Sequence, residues 1–186
     1  MTGRTNHGRA GTFHRRSLTQ TFFRSGVAVF LITLLFSCTK KQEYPIEPEI
    51  GFKYFVVKDT VDKLQNPIKE VHLVFSFTDG DGDIGLSQGD TLFPFDKAGG
   101  HYYNLISTYY EKQNGTFNEV AQNSELSNYR IPVLQDLAIK KSIRGDIEVK
   151  RDLYFPNSDT IKYDFFIYDR ALHKSNTISS PEIILN

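Results

Sequence analysis

Apolar residues recur at every second position in two segments of this sequence, and this period-two pattern is the strongest constraint on its fold. In the first segment the apolar parity runs from Val71 to Phe77, and in the second it runs from Ile161 to Ile167. Side chains of a β-strand point alternately to opposite faces of the sheet. The two segments are therefore predicted to be strands with one buried face and one more exposed face.

Weaker versions of the same pattern predict further strands. Phe52, Tyr54 and Val56 share one parity, which predicts that they share one face of a strand. Asn114-Gly115 follows an aromatic and β-branched segment and is a strong signal for a two-residue hairpin turn. The remaining strands are predicted over residues 129–133, 147–155 (where Arg151 interrupts the apolar parity) and 178–185, and a short helix over residues 134–142.

The number and spacing of these segments predict the fold class. Residues 50–186 contain seven or eight short strands separated by polar turns. A 137-residue domain of this kind is expected to be an all-β, antiparallel, immunoglobulin-like β-sandwich. A small eight-stranded β-barrel is the alternative. The stretch between Asp83 and His101 favours the sandwich, because it lacks the regular hairpin spacing of a barrel.

The N-terminal region has the composition of an export signal. Residues 1–25 contain five arginines and no acidic residue, and residues 26–36 are apolar except for Thr33. An apolar run this short favours a cleaved signal over a transmembrane helix, which needs about 20 apolar residues. An uncleaved N-terminal anchor is the alternative. The following Leu34-Leu35-Phe36-Ser37-Cys38 resembles the lipobox of bacterial lipoproteins, and Cys38 is the single cysteine of the chain.

The lipobox resemblance implies where the mature protein begins and how it is attached. Residues 1–37 would be the signal peptide, and Cys38 would become the N-terminal residue and carry acyl chains such as palmitate, which bind membranes. Residues 38–49 are polar and contain two prolines, so we expect a flexible tether before the domain at 50–186. Thr39, rather than an aspartate, follows the cysteine, which favours the outer membrane of the cell envelope.

The charge balance bears on possible partners. The whole chain has 22 basic and 22 acidic residues, and loss of the five arginines in residues 1–37 leaves 17 against 22, a formal charge of −5. A mildly acidic domain gives no electrostatic basis for binding nucleic acid. Apart from the membrane itself, we expect an envelope protein or a glycan as the partner. The tyrosines that could stack on a sugar are expected to pack in or against the core instead: Tyr102, Tyr103, Tyr109 and Tyr110.

Three carboxylates occupy alternate positions in a glycine-containing segment, at Asp79, Asp81 and Asp83. The intervening glycines can adopt positive φ, so the backbone can curl and bring the carboxylates together. Such an oxygen-rich loop suits Ca²⁺, which takes six to eight oxygen ligands. The loop is not an EF-hand, because Ile84 stands where that loop needs glycine and because strands flank it. We predict a calcium site here.

Strand parity adds a fourth carboxylate to this site. Asp79 continues the inward parity of residues 71–77, and Asp169 continues that of residues 161–167. In an immunoglobulin-like sandwich these two strands run in the same direction on opposite sheets, about 10 Å apart. Both aspartates are then expected at the same end, where they need a countercharge. A bound cation with Asp169 as an additional ligand would supply it, and the alternatives are Arg170, His173 and Lys174.

Residues 163–175 read YDFFIYDRALHKS and resemble the last hairpin of bacterial immunoglobulin-like domains, where a strand ends in D-x-A-G-N-x-S. Asp169, Ala171 and Ser175 match that pattern. Together with the lipobox and the aspartate loop, the chain resembles small Bacteroidetes lipoproteins with an immunoglobulin-like domain. The resemblance implies a structural or partner-binding envelope module that is not an enzyme. An envelope hydrolase using the clustered aspartates is the alternative, although no recognisable nucleophile motif is present.

Overall fold

The computed structural model of the chain describes residues 1–3, 43–134 and 141–185. Residues 1–42 and 43–186 form two separate units, and nearly all described residues belong to the second. The predicted signal cleavage and lipidation at Cys38 lie outside the described residues. So does most of the helix predicted over residues 134–142. The β-strands predicted from residue 50 onward all fall within the second unit.

Eight antiparallel strands and one helical turn make up the described part of this unit. They are β1 (Glu49–Val61), β2 (Pro67–Asp79), β3 (Leu105–Gln113), β4 (Thr116–Glu119), α1 (Ser124–Ser127), β5 (Ile143–Leu153), β6 (Thr160–Ile167), β7 (Ile178–Ser179) and β8 (Ile183–Ile184). One sheet has the order β1-β2-β5, and the other has the order β4-β3-β6-β7, with β8 also pairing with β6. The pairing of β2 with β5 and of β3 with β6 makes the chain cross between sheets, as in an immunoglobulin-like sandwich. The predicted sandwich is confirmed, and the sheets do not close into a barrel.

The core lies between the two sheets and consists of the predicted inward parities of β2 and β6. Phe75 on β2 stacks on Phe165 on β6 with 5.5 Å between ring centroids, which joins the sheets at their centre. Each large apolar side chain buried in this way contributes roughly 1.5–3 kcal/mol to folding. The fully buried members of the two strands are Val71, Leu73, Phe75, Ile161, Tyr163, Phe165 and Ile167.

The predicted face of β1 was wrong beyond Phe52. The register between β1 and β2 shifts between Phe52 and Tyr54, which marks a β-bulge. An extra residue in one strand reverses the parity that follows. Phe55 and Val57 therefore pack on the core, whereas Tyr54 and Val56 are 54% and 41% exposed.

The hairpin prediction is confirmed, but the strand predicted over residues 129–133 is not. Asn114 and Gly115 have φ of 52° and 82°, the pair of positive values that a type I′ turn requires. Residues 129–133 form only isolated bridges, in which Tyr129 pairs with Leu105 and Pro132 with Leu86. The amide of Ile131 donates to the Asn104 side chain at 2.6 Å instead of to a neighbouring strand.

The last residues of the predicted tether contact the domain. Pro48 is buried, and the main chain of Tyr44 and Pro45 lies against Gly80. A β-carbon on Gly80 would lie 2.4 Å from each of the two carbonyl oxygens, so this approach requires glycine. The chain therefore enters the domain at the end of β2 that carries the aspartate loop.

Candidate cation site at the acidic pole

Asp79, Asp81, Asp83 and Asp169 lie at one end of the sandwich, which we call the acidic pole. Asp79 is the last residue of β2, and Asp169 lies two residues beyond the end of β6. Both side chains are buried, with 0% and 1% exposure. Their inward direction follows from strand parity, since each continues the buried side of its strand.

The loop that follows β2 folds the three nearest carboxylates toward one another. One oxygen from each of Asp79, Asp81 and Asp83 lies within 4.8 Å of the others. Gly82 has φ of 73°, the left-handed conformation that glycine adopts without a steric penalty. Ile84 is fully buried and its amide donates to Asp79 Oδ2 at 3.2 Å, which fixes the far side of the loop. The predicted convergence of these three residues is therefore observed.

Two carboxylate oxygens of this cluster have no hydrogen-bond partner among the described residues. They are Asp79 Oδ1 and Asp81 Oδ1, and both atoms are buried. A buried polar atom without a partner costs about 1–3 kcal/mol, and more when it is charged. The arrangement is thus unfavourable as it stands and leaves acceptor positions available to a cation.

The pKa values of the carboxyl groups at the pole also indicate a place for a cation. Burial, together with repulsion from Asp81, Asp83 and Asp169, raises the pKa of Asp79 to about 7. Burial and the neighbouring Asp169 and Asp81 also raise the pKa of Asp83. Protons and cations therefore compete for the same excess negative charge.

The basic residues proposed as countercharges are largely engaged elsewhere. Arg170 Nη1 and Nη2 each donate to a carboxylate oxygen of Asp90, at 2.5 Å, and this pairing lowers the pKa of Asp90. The Lys174 ammonium lies 3.9 Å from the centroid of the Phe166 ring. The main-chain amide of Arg170 lies 3.4 Å from Asp83 Oδ1, and the charge of its guanidinium also acts on Asp83. Within the described residues, neither the guanidinium nor the Lys174 ammonium forms an ion pair with the three clustered aspartates.

His173 is the exception, and its partner is Asp169. The His173 amide donates to Asp169 Oδ1 at 2.7 Å, and its Nδ1 lies 2.7 Å from Oδ2. The hydrogen bond with Asp169 raises the pKa of His173. Asp169 thus has a protein partner for both oxygens and is not among the three residues whose oxygens converge within 4.8 Å. The structure places it beside the cluster rather than within it.

The donor set determines which ions suit the site. All converging ligands are carboxylate oxygens, which favour hard cations over metals that prefer imidazole or thiolate. Three carboxylates offer up to six oxygens, and Ca²⁺ accepts flexible coordination completed by carbonyls and water. Asp90, which would occupy the last position of an EF-hand loop, holds Arg170 instead. Sequence spacing gave no sign of that ion pair, because the partners are 80 residues apart.

Comparison with known proteins adds no assignment. No protein-family model, no characterised protein and no solved structure significantly matches the chain. Within the described residues, no helix is long and apolar enough to cross a membrane. Interpretation of the acidic pole therefore rests on its geometry and chemistry.

Proposed function

We propose that this chain is a lipid-anchored lipoprotein of the cell envelope. Its β-sandwich would bind Ca²⁺ at the acidic pole and serve as a structural or partner-binding module. The anchor rests on the apolar run and on the Leu35-Phe36-Ser37-Cys38 motif. The calcium site rests on Asp79, Asp81 and Asp83. The outer membrane is the proposed location, because Thr39 follows the cysteine.

The observation that carries the calcium proposal is the buried, unpartnered Oδ1 of Asp79. A carboxylate that is 0% exposed, beside two others, is stable only if protonated or bound to a cation. Bound Ca²⁺ would offset two of the three negative charges and cross-link the loop after β2. Because Tyr44 and Pro45 lie against Gly80 of the same loop, the ion would also stiffen the entry of the tether.

Isothermal titration calorimetry of the purified full chain with CaCl₂ tests the site. We expect heat from one binding event per chain in metal-free buffer, and its loss in Asp81→Asn. Asp169→Asn should weaken binding without abolishing it, because Asp169 is held by His173. Asp59→Asn is the matched control, since this exposed aspartate lies at the opposite end of the sandwich and pairs with Lys69. Absence of binding heat in the unmodified chain at neutral and alkaline pH would eliminate the site.

The anchor is tested separately by labelling cells with a clickable fatty acid. We expect label in the wild-type protein and none in Cys38→Ala, which should also leave the membrane fraction. The matched control is Ser37→Ala, which retains a small residue before the cysteine. Membrane retention of Cys38→Ala without label would favour the uncleaved N-terminal anchor, and label in Cys38→Ala would show that Cys38 is not the site of lipidation.

Two clefts at the surface of the domain do not support the alternative of an envelope hydrolase. These clefts are lined by residues within 60–70, 109–129 and 150–163, and they include none of the four aspartates of the acidic pole. Hydrolysis at the pole would need space for a substrate next to the carboxylates. We therefore favour a binding role for these residues.

A further inference from the structure

A cleft of about 630 Å³ lies at the end of the sandwich opposite the acidic pole. It is lined by the ends of β3 and β5 and the start of β6, together with residues 120–123, 126 and 154–157. This volume is within the usual range for small-molecule sites, roughly 300–1,000 Å³. We call it the Arg151 cleft, after the basic residue in its floor.

Arg151 is an inward-facing residue of β5 and is only 5% exposed. Its guanidinium lies 4.7 Å from the ring centroid of Tyr129. Its two terminal nitrogens donate to the main-chain oxygens of Leu126 and Ser127 and to the Ser107 hydroxyl. All of these acceptors are neutral. The third nitrogen, Nε, has no partner among the described residues.

Glu111 supplies the opposite charge in the same floor and is 2% exposed. The Tyr109 hydroxyl donates to its Oε1 at 3.0 Å, and the Asn157 amide donates to the same oxygen at 3.2 Å. Its other oxygen, Oε2, has no partner among the described residues, and neither has the hydroxyl of Tyr163. The floor therefore combines an unused donor, an unused acceptor and an unused hydroxyl on three different strands.

The rim of the cleft is apolar and exposed. Leu126, Tyr154 and Phe155 line it and are 75%, 55% and 82% exposed. Phe155 has φ of 53°, a left-handed conformation that is strained for a bulky residue. Strain of this kind, at a residue that gains no burial from it, is typical of binding sites. A polar floor below an aromatic rim is the usual composition of a ligand pocket.

We propose that the Arg151 cleft binds a neutral sugar ring. Each hydroxyl of a sugar both donates and accepts hydrogen bonds, so neighbouring hydroxyls can accept from Arg151 Nε and donate to Glu111 Oε2. The apolar face of the ring can then lie on the aromatic side chains of the rim. The three unpartnered atoms are shielded from bulk water, so binding requires a small outward turn of these side chains.

The geometry favours a neutral ligand over a carboxylate or a phosphate. Arginine recognises such anions through two parallel N–H groups. Both terminal nitrogens of Arg151 are already engaged with protein oxygens. Both hydrogens of Nη2 are used, so Nε has no parallel N–H beside it for an anion and is suited to a single hydroxyl. The nearby buried carboxylate of Glu111 would repel an anion but accepts readily from a sugar hydroxyl. This inference is independent of the calcium proposal, because the two sites lie at opposite ends of the domain.

Saturation-transfer NMR on the full chain, in a detergent without a sugar head group, tests the inference. The probes are glucose, galactose, mannose and N-acetylglucosamine, with glucuronate and phenylalanine as charged comparisons, all at millimolar concentration. We expect transfer to at least one neutral sugar and little to the charged compounds. Tyr163→Phe, which removes one hydroxyl and keeps the ring, should weaken that binding by about tenfold.

Controls separate binding from folding. Glu111→Gln should also weaken binding, and circular dichroism should show that both variants remain folded. Tyr110→Phe is the matched control, because Tyr110 lies on the opposite face of β3, and it should leave sugar binding unchanged. The inference is overturned if no neutral sugar shows transfer, if only the charged compounds do, or if Tyr163→Phe and Glu111→Gln, both folded, bind sugar as the unmodified chain does.

Discussion

The two ends of the sandwich hold buried polar groups in opposite ways. At the acidic pole, three carboxylates of like charge converge, and two of their buried oxygens have no partner among the described residues. In the Arg151 cleft, one cation and one anion are each satisfied in part by neutral groups, and each keeps one unused position. An excess of one charge is relieved by an ion from solution. A balanced pair with spare positions suits a neutral polar ligand. We therefore propose that the same fold presents two kinds of binding chemistry.

The largest expected effect is on the pH dependence of stability, and most of it should come from the acidic pole. The pKa of Asp79 is about 7 in the fold, against 3.8 as the ordinary value, so the folded state holds its proton over this interval. Stability without metal should therefore fall as pH rises from about 4 to about 7, by on the order of 4 kcal/mol. The raised pKa values of Asp83, Asp169 and His173 act in the same direction.

Urea denaturation at a series of pH values in EDTA measures this loss. Asp79→Asn, which is neutral and of similar shape, should flatten the profile and be more stable than the unmodified protein at pH 8. The control is Asp59→Asn at the other end of the domain, which should keep the full slope. A profile of the unmodified protein that rises between pH 4 and 7 would show that the carboxylates are paired rather than mutually repelling.

The two ends also differ in how far they could be predicted from the sequence. The acidic pole was predictable because Asp79, Asp81 and Asp83 are close together in the sequence and because strand parity carried Asp169 to the same end. The cleft was not, because Arg151, Glu111 and Tyr163 come from three strands that meet only through the pairing of the sheets. In the sequence, Arg151 merely interrupts an apolar parity. Its shared parity with Val149 and Leu153 indicates an inward direction, but its neighbours from β3 and β6 become evident only in the folded structure.

Other parts of the fold show the same limit. The parities of β2 and β6 predicted their buried faces, because the register of β2 with β5 and of β6 with β3 is continuous. The parity of β1 failed at one bulge, since an inserted residue reverses every later side chain. The His173 contact with Asp169 was foreseen only as one of three countercharges, because the turn that selects it depends on Leu172 at φ of 69°.

The second-largest expected effect is stabilisation by Ca²⁺. It distinguishes the acidic pole from the Arg151 cleft, because the cleft should not respond to the ion. At a hundredfold excess over Kd, a ligand specific to the folded state stabilises it by about 2.7 kcal/mol. Thermal denaturation should show a higher Tm with CaCl₂ at pH 8, and a smaller shift at pH 5, where protons occupy Asp79. EDTA should reverse it. A shift of equal size at both pH values, or one retained in Asp79→Asn, would place the ion elsewhere.

The third effect concerns Tyr109, which supports the buried carboxylate in the cleft. Its hydroxyl donates to Glu111 Oε1, and both side chains are at least 96% buried. Tyr109→Phe removes that donor and leaves a buried charge with one hydrogen bond fewer, at a cost of about 1.5–3 kcal/mol. Urea denaturation measures the loss, and Tyr109→Phe in a Glu111→Gln background should lose less. Equal losses in both backgrounds would mean that the hydroxyl does not stabilise the Glu111 charge.

The smallest effect on the free energy of unfolding is expected for Tyr163→Phe, at a neighbouring tyrosine in the same cleft. Unlike Tyr109→Phe, it should not destabilise the protein. The two rings are in contact, with centroids 5.1 Å apart, and both hydroxyls are buried. The Tyr163 hydroxyl, however, has no partner among the described residues. Tyr163→Phe removes an unsatisfied polar group and keeps the ring stacked in the core, so it should leave the free energy of unfolding unchanged or raise it by about 1 kcal/mol. If urea denaturation instead shows a loss equal to that of Tyr109→Phe, the hydroxyl already has a partner such as an ordered water. A sugar would then have to displace that partner, and the Arg151 cleft would resemble a satisfied core more than a site prepared for a ligand.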